Sequence, residues 1–344
     1  MLTGEPWSLT LAIVVFISAG LVIGIGGVLL TARAERIAQV TGLGQLLTGA
    51  VLIGLVTSLS GLVTSITAAY AGHASLAVSN SLGGIAAQTV FLAVADMVYR
   101  KVNLEHAAAS EANLLQGALL IVLLALPMLA MAHPGLAVFN IHPVSILLVA
   151  AYLFGLRLIG QARDRPMWRP RITPQTEREK KSGGSRSRRG LTALWTSFAL
   201  LAAVVAVSGW LLAISAISIS QHAGLGETVV GGIFTAITTS LPELVVAIAA
   251  VRRGALALAV GDILGGNAFD VLFLSASDAV YRDGSIYAAI SVTEIFWVAL
   301  SILLVGVLLL GLLRREKHGI GNIGFESFLV MVFYILGVLI LTMT

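Results

Sequence analysis

From its first residues onward the chain alternates long apolar runs with short breaks that carry charge, glycine or proline. A helix that crosses a bilayer needs about 20 mostly apolar residues. Runs of that length fall at 8–31, 45–70, 75–99, 112–132, 142–161, 192–219, 226–251, 255–281, 288–313 and 323–343. The pattern predicts an all-α membrane protein of about ten transmembrane helices. The leader before the first run, Met1 to Trp7, has no positive charge, and the run is too long for the core of a signal peptide. It is therefore read as a true span.

Composition agrees with the pattern. Of 344 residues, 58% are hydrophobic and only 11% charged, against about 25% charged in soluble domains. The 36 glycines suit lipid-embedded helices that approach one another closely. The absence of cysteine excludes disulfides, thiol nucleophiles and cysteine-ligated metals. No phosphate-binding G-x-x-x-x-G-K-[ST] loop occurs, which argues against an ATP-driven pump. His73, His106, His133, His142, His222 and His318 lie mainly in loops or near run ends without metal-ligand spacing. Nothing points to an enzyme or a resident cofactor.

The basic residues orient the chain rather than attract nucleic acid. With ten spans, all of the 21 Lys and Arg residues except Arg282 fall in loops on one side, which the positive-inside rule makes cytoplasmic. Both termini are then outside. The organisation follows as a first five-helix half (1–161), a basic low-complexity cytoplasmic linker (162–191) and a second five-helix half (192–344). The expected partners are the lipid bilayer and inorganic cations, in a prokaryotic inner membrane.

A shift of 182 positions aligns residues 57–100 with 239–282 without a gap, and 21 of the 44 positions are identical. TSLSGLVTSITAAY (57–70) lies over TSLPELVVAIAAVR (239–252), and LAVSNSLGGIAAQ (76–88) over LAVGDILGGNAFD (258–270). With five spans in each half, the two copies run in opposite directions. Such inverted repeats are typical of secondary transporters, whose sites lie near the bilayer midplane. Arg282 is the repeat partner of Arg100, so inversion accounts for its position on the other side.

Within the second copy, Pro242 removes a backbone donor and should break the helix. That would free carbonyls near Thr238 and Thr239, beside the hydroxyls of Thr239 and Ser240 and the carboxylate of Glu243. An Asp at a helix centre costs about 2.5–3.5 kcal/mol to insert, and Glu is comparable, so Glu243 needs a cation or a proton. Asp262, Asn267 and Asp270 follow around Gly265–Gly266, a small pair expected to admit the broken helix and bring Glu243 near Asp270. Asp96 and Asp278 each stand four residues before an arginine, a helical ion-pair spacing, with proton relay as the alternative role. Glu294 is expected to serve as an exposed helix end.

TSLPEL (239–244) followed by GDILGGNAFD (261–270) resembles the second α-repeat of the cation/calcium antiporter superfamily, which includes sodium/calcium exchangers and calcium/proton antiporters. The resemblance covers nearly the whole chain. It implies alternating access, with the first and sixth helices sliding past a core of the second, third, seventh and eighth. It also implies cation ligands at Glu243, Asp270, Thr239, Ser240 and Asn267, and from the weaker first copy at Thr57, Ser58 and Gln88. Asp262 and Asn80, which share a slot, join Asp96 and Asp278 as supporting or proton-relay candidates.

The first copy departs from the family pattern. Ser60 replaces the proline, Gly61 the glutamate, and Gly84 and Gly266 stand where a serine is usual. Calcium takes 6–8 oxygens, several from carboxylates, so the missing glutamate weakens a calcium site. The reading is an antiporter moving calcium against sodium or protons. The alternatives are a sodium/proton exchanger and a scaffold or sensor that has lost transport.

Overall fold

A computed structural model describes residues 6–41, 54–99, 103–167, 191–316 and 323–343. Arg100, Lys101, Lys317, His318, residues 45–53 of the second apolar run and residues 168–190 of the basic linker lie outside the described residues.

The helices follow the apolar runs closely. In chain order they are α1 (Leu9–Thr41), α2 (Gly54–Thr57), α3 (Leu59–Tyr70), α4 (Ala74–Val98), the short α5 (Leu104–Ala108), α6 (Glu111–Ala132), α7 (Pro143–Asp164) and α8 (Leu191–Ala223). Next come α9 (Glu227–Val229), a π-helical stretch Val230–Thr235, α10 (Ala236–Thr239), α11 (Leu241–Arg252), α12 (Leu256–Asp270) and α13 (Leu272–Val280). The chain continues through α14 (Ile286–Ala289), α15 (Val292–Arg314) and α16 (Phe325–Met343). Among the described residues there are no strands. Among the described residues, eight helices are long and apolar enough to cross a membrane when α12 and α13 are taken together as Leu256–Val280, and nine if the bent pair Glu227–Thr239 and Leu241–Arg252 is one span. The 45–70 run is described only from Gly54, as α2 and α3.

Burial separates a centre from a periphery. In α4, 20 of 25 residues are buried, whereas in α1 only 12 of 33 are. The outer face of α1 carries Leu11, Val14, Ile17, Leu21 and Ile25 in the open, as a lipid-facing helix requires. Helices α1 and α8 pack together; α8 also packs on α3, and α1 on α10 and α11, while α15 and α16 pack on α4 and α6 packs on α7, α12 and α15. Backbones cross closely at Gly83 of α4, where an added Cβ would collide with the carbonyl of Gly232. No side chain larger than hydrogen fits that crossing.

The chain breaks at Ser240, between α10 and α11, with a 43° bend. Pro242 sits in the first turn of α11, where its missing N–H costs nothing. Yet the first copy breaks at the aligned residue, Ser58, without a proline. Ser58 has φ −86° and ψ 2°; Ser240 has φ −94° and ψ 4°. Proline accompanies the break and is not required for it.

Asp278 corrects a sequence expectation. It is buried and makes no described ion pair with Arg282, which lies over the Tyr70 ring at 5.8 Å. Its Oδ1 accepts from Ile286 N (2.8 Å) and Ser285 Oγ (2.9 Å); its Oδ2 accepts from His142 N (2.8 Å) and Ser145 Oγ (2.7 Å). Asp96 does the same work, accepting from Leu104 N (2.7 Å) and Gly324 N (3.1 Å). Leu104 and Ile286, like His142 and Gly324, are themselves 182 positions apart. These aspartates clamp the segment after each repeat to a helix start in the other half of the chain. Glu294, expected to be exposed, is fully buried. It closes a capping box with Ser291 and accepts from Thr228 Oγ1 at 2.6 Å.

Candidate cation site

The two breaks meet. The Ser60 hydroxyl, in the proline slot of the first copy, donates to the Thr239 carbonyl at 3.2 Å. One carbonyl expected to serve as a ligand is therefore already engaged. Beside this junction run α4, bearing Gln88, and α12, bearing Asp270. These two residues are repeat partners, and Gln88 Nε2 donates to Asp270 Oδ2 at 2.6 Å. The same amide nitrogen donates to Ser240 Oγ at 3.2 Å.

Glu243 opens α11 and is buried. Its carboxylate neighbours are Asp270 and the hydroxyls of Thr57 and Ser58, which reach it from the break in the first copy. Ser58 also faces Asp270. Asp270 lies near enough to Glu243 to act on it electrostatically, but not by the expected route. Gly265 and Gly266 face Gln116 and Gln88, not the broken helix: a Cβ on either would lie 3.1 Å from Gln116 Nε2 or 3.7 Å from Gln88 Oε1.

Among the described residues, Glu243 Oε1 and Oε2, Asp270 Oδ1, Gln88 Oε1 and Ser58 Oγ are buried without hydrogen-bond partners. A buried, unpaired carboxylate is costly unless it holds a proton or a cation. Gln88 bonds Asp270 and Ser58 lies beside both acids, so these five oxygens share one neighbourhood. The arrangement offers a cation an oxygen-only shell built from both copies.

The other candidates divide. Thr239 Oγ1 donates to Ala236 O at 3.3 Å, within its own helix. Asn267 donates to Thr89 Oγ1 (3.2 Å) and Ile85 O (3.4 Å) on α4, so its amide ties α12 to α4. Asn80 donates to Ser65 Oγ (2.9 Å) and Gly61 O (3.2 Å), bracing the first break. Its slot partner Asp262 is half-buried and lines a small cleft with Gly54, Thr57, Glu243, Val246, Ala247 and Ile263. Glu35, Arg163 and Arg253 are its charged neighbours. Asp96 and Asp278, held in their clamps, lie apart from the five oxygens.

One participant was not anticipated from sequence. A Cβ on Gly61, the position aligned with Glu243, would lie 3.0 Å from Phe273 Cε2 and 3.6 Å from Thr239 Oγ1. The Phe273 ring therefore stands where a side chain at 61 would project. Its only prior signal was the identity of Phe91 and Phe273 at the 182-residue offset, which reads equally as core packing.

Similarity to known proteins follows the same lines. The family model for sodium/calcium exchanger protein matches residues 11–159 and 193–343. CaxA of Alkalimonas amylolytica, named as an antiporter, is 26% identical over 299 residues, covering 86% of this chain and 89% of its own. The H+/Ca2+ exchanger CAX shares the fold with a TM-score of 0.72 at 16% identity, over 98% of this chain and 82% of CAX. The sodium-calcium exchanger NCX_Mj, soaked with Na+ and Sr2+, shares it with a TM-score of 0.60 at 18% identity, over 96% and 98%. By the extent of the family match, the chain belongs to the sodium/calcium exchanger protein family and is an integral-membrane cation/calcium antiporter, not an enzyme.

Proposed function

We propose that the protein exchanges calcium for sodium or protons by alternating access, in a prokaryotic inner membrane. The frame is ten spans in two inverted halves, 1–161 and 192–344, joined by the cytoplasmic linker 162–191, with both termini outside. The cation is held by Glu243 and Asp270, with Ser58, Thr57 and Gln88 completing the shell and Thr239, Ser240 and Asn267 fixing its walls. The observation that carries this reading is the cluster of five unpartnered buried oxygens, including three from carboxylates. Names of relatives that include sodium, calcium and proton exchange are consistent with it.

A sodium/proton exchanger is the second reading, and a specific contact favours it. Gln88 already satisfies Asp270 Oδ2, and Gly61 supplies no carboxylate, so only Glu243 keeps both oxygens for a cation. A shell of five oxygens falls short of the 6–8 that calcium takes unless water completes it. Glu243 alone suffices to carry a proton.

Reconstitution into liposomes with an internal pH dye separates the two. Calcium uptake driven by a sodium or proton gradient, and lost in Glu243→Gln, is the expected result. Sodium-driven proton movement without calcium flux would select the second reading.

A further inference from the structure

The two breaks create two related half-sites, and they differ in what stands at the acidic position. On one side, Glu243 projects toward Thr57 and Ser58. At the 182-residue offset the corresponding set is Gly61 facing Thr239 and Ser240, and the Gly61–Thr239 approach is observed. There the carboxylate is gone and the Phe273 ring fills the space: Cε2 and Cζ lie 3.0 and 3.7 Å from a Cβ placed on Gly61. Phe273 is 2% exposed and is held edge-to-face against Phe269 at 6.0 Å, which in turn packs on Tyr152 at 6.1 Å. The ring is braced by a packed aromatic chain and cannot swing aside cheaply.

We infer that Phe273, acting with Gly61, is a specificity-determining residue that seals the second half-site and confines cations to the Glu243–Asp270 side. An apolar wall in place of a carboxylate lowers the negative charge available to the cargo and leaves only the Thr239 and Ser240 hydroxyls, with no carboxylate, for a second ion. Ion choice then follows from this filling as much as from the residues that touch the ion. The inference rests on the cation reading of the Glu243–Asp270 site.

Calorimetric titration of the purified full chain with calcium and with sodium tests it, alongside thermal melts. Gly61→Glu alone should lower the melting temperature or prevent folding, since its side chain meets the ring. Gly61→Glu with Phe273→Ala should restore folding and bind calcium at least tenfold more tightly than wild type. Phe273→Leu alone should shift the calcium-to-sodium affinity ratio at least threefold, while Phe269→Leu, which disturbs the same packing away from Gly61, should not. Should neither the single nor the double Gly61→Glu variant fold, the two leucine variants decide. The inference is overturned if Gly61→Glu alone folds and tightens calcium as much as the double variant, or if the two leucine variants leave equal ratios. Wild-type protein that binds neither ion would instead overturn the site reading itself.

Discussion

The Gln88 amide donates to the Asp270 carboxylate at 2.6 Å, joining two residues that occupy the same position in the two copies of the repeat. One copy thus supplies an acid and the other a neutral donor that satisfies half of it. The contact occupies one oxygen that a cation would otherwise meet and leaves the carboxylate in place. It is a polar seam between α4 and α12 as much as part of a site.

Gln88→Glu should reverse this balance. The donor becomes an acceptor beside Asp270, and two carboxylates in contact cannot both ionise without a counter-ion. Calcium affinity should rise by about tenfold, equivalent to about 1.4 kcal/mol. The melting temperature should depend on calcium more steeply than in wild type. Melts across a calcium titration provide the check; equal calcium dependence in both proteins would contradict it.

Asp278→Asn should destabilise the protein without altering ion choice. The carboxylate accepts four hydrogen bonds, and an asparagine presents donors to half of those donors. Hydrogen bonds to a charged group are worth about 1.5–3 kcal/mol each, so a loss of about 3 kcal/mol is expected. The pH dependence of transport should keep its midpoint. A displaced midpoint at unchanged stability would restore the proton-relay role.

The apolar helices, the 182-residue offset and the buried acids Glu243 and Asp270 were legible in the sequence because each is written in side-chain type: apolar runs, identities at a fixed offset, and acids without nearby bases. What stayed hidden depends on backbone and volume. His142 and Gly324 share no side-chain chemistry, yet each offers an N–H to an aspartate, so the repeat continues past the last aligned identity. The roles of Asp278 and Glu294 were misjudged because charge four residues from an arginine, or near a helix start, suggests exposure. Burial depends on tertiary packing instead. Phe273 was hidden because an aromatic in an apolar helix carries no mark of what it displaces.

Glu105 gives a pH-dependent stability outside the spans. It lies in the short α5 and is 1% exposed. Burial first, then the charges of Asp96 and Glu326, push its carboxyl well above the ordinary value of 4.5. The folded state therefore favours its protonated form. The sign follows: its contribution is present below pH 4.5 and is lost as pH rises from there toward the folded value. Glu105→Gln lacks this loss, so the variant should gain melting temperature over wild type at about pH 8 and not at about pH 4. A gain of equal size at both pH values would assign the effect to packing.

The matched geometry of Ser58 and Ser240 makes a last prediction about what breaks the helix. If Pro242 caused the bend, replacing it would straighten the segment, re-form a turn through Ser240 and move Glu243 out of contact with Ser58. The first copy argues otherwise: Ser60 occupies the proline slot, and Ser58 still departs from helical geometry. What the two breaks share is the Thr-Ser-Leu sequence and their mutual contact, in which Ser60 Oγ holds the Thr239 carbonyl. Pro242→Ser should therefore fold and keep the break, with transport within about threefold of wild type, or about 0.65 kcal/mol. Ser60→Ala removes the bond between the breaks and should cost about 1 kcal/mol of stability, with a larger loss of transport than Pro242→Ser. Flux in liposomes and melts in detergent rank the two variants. The reverse order would return the cause of the break to the proline.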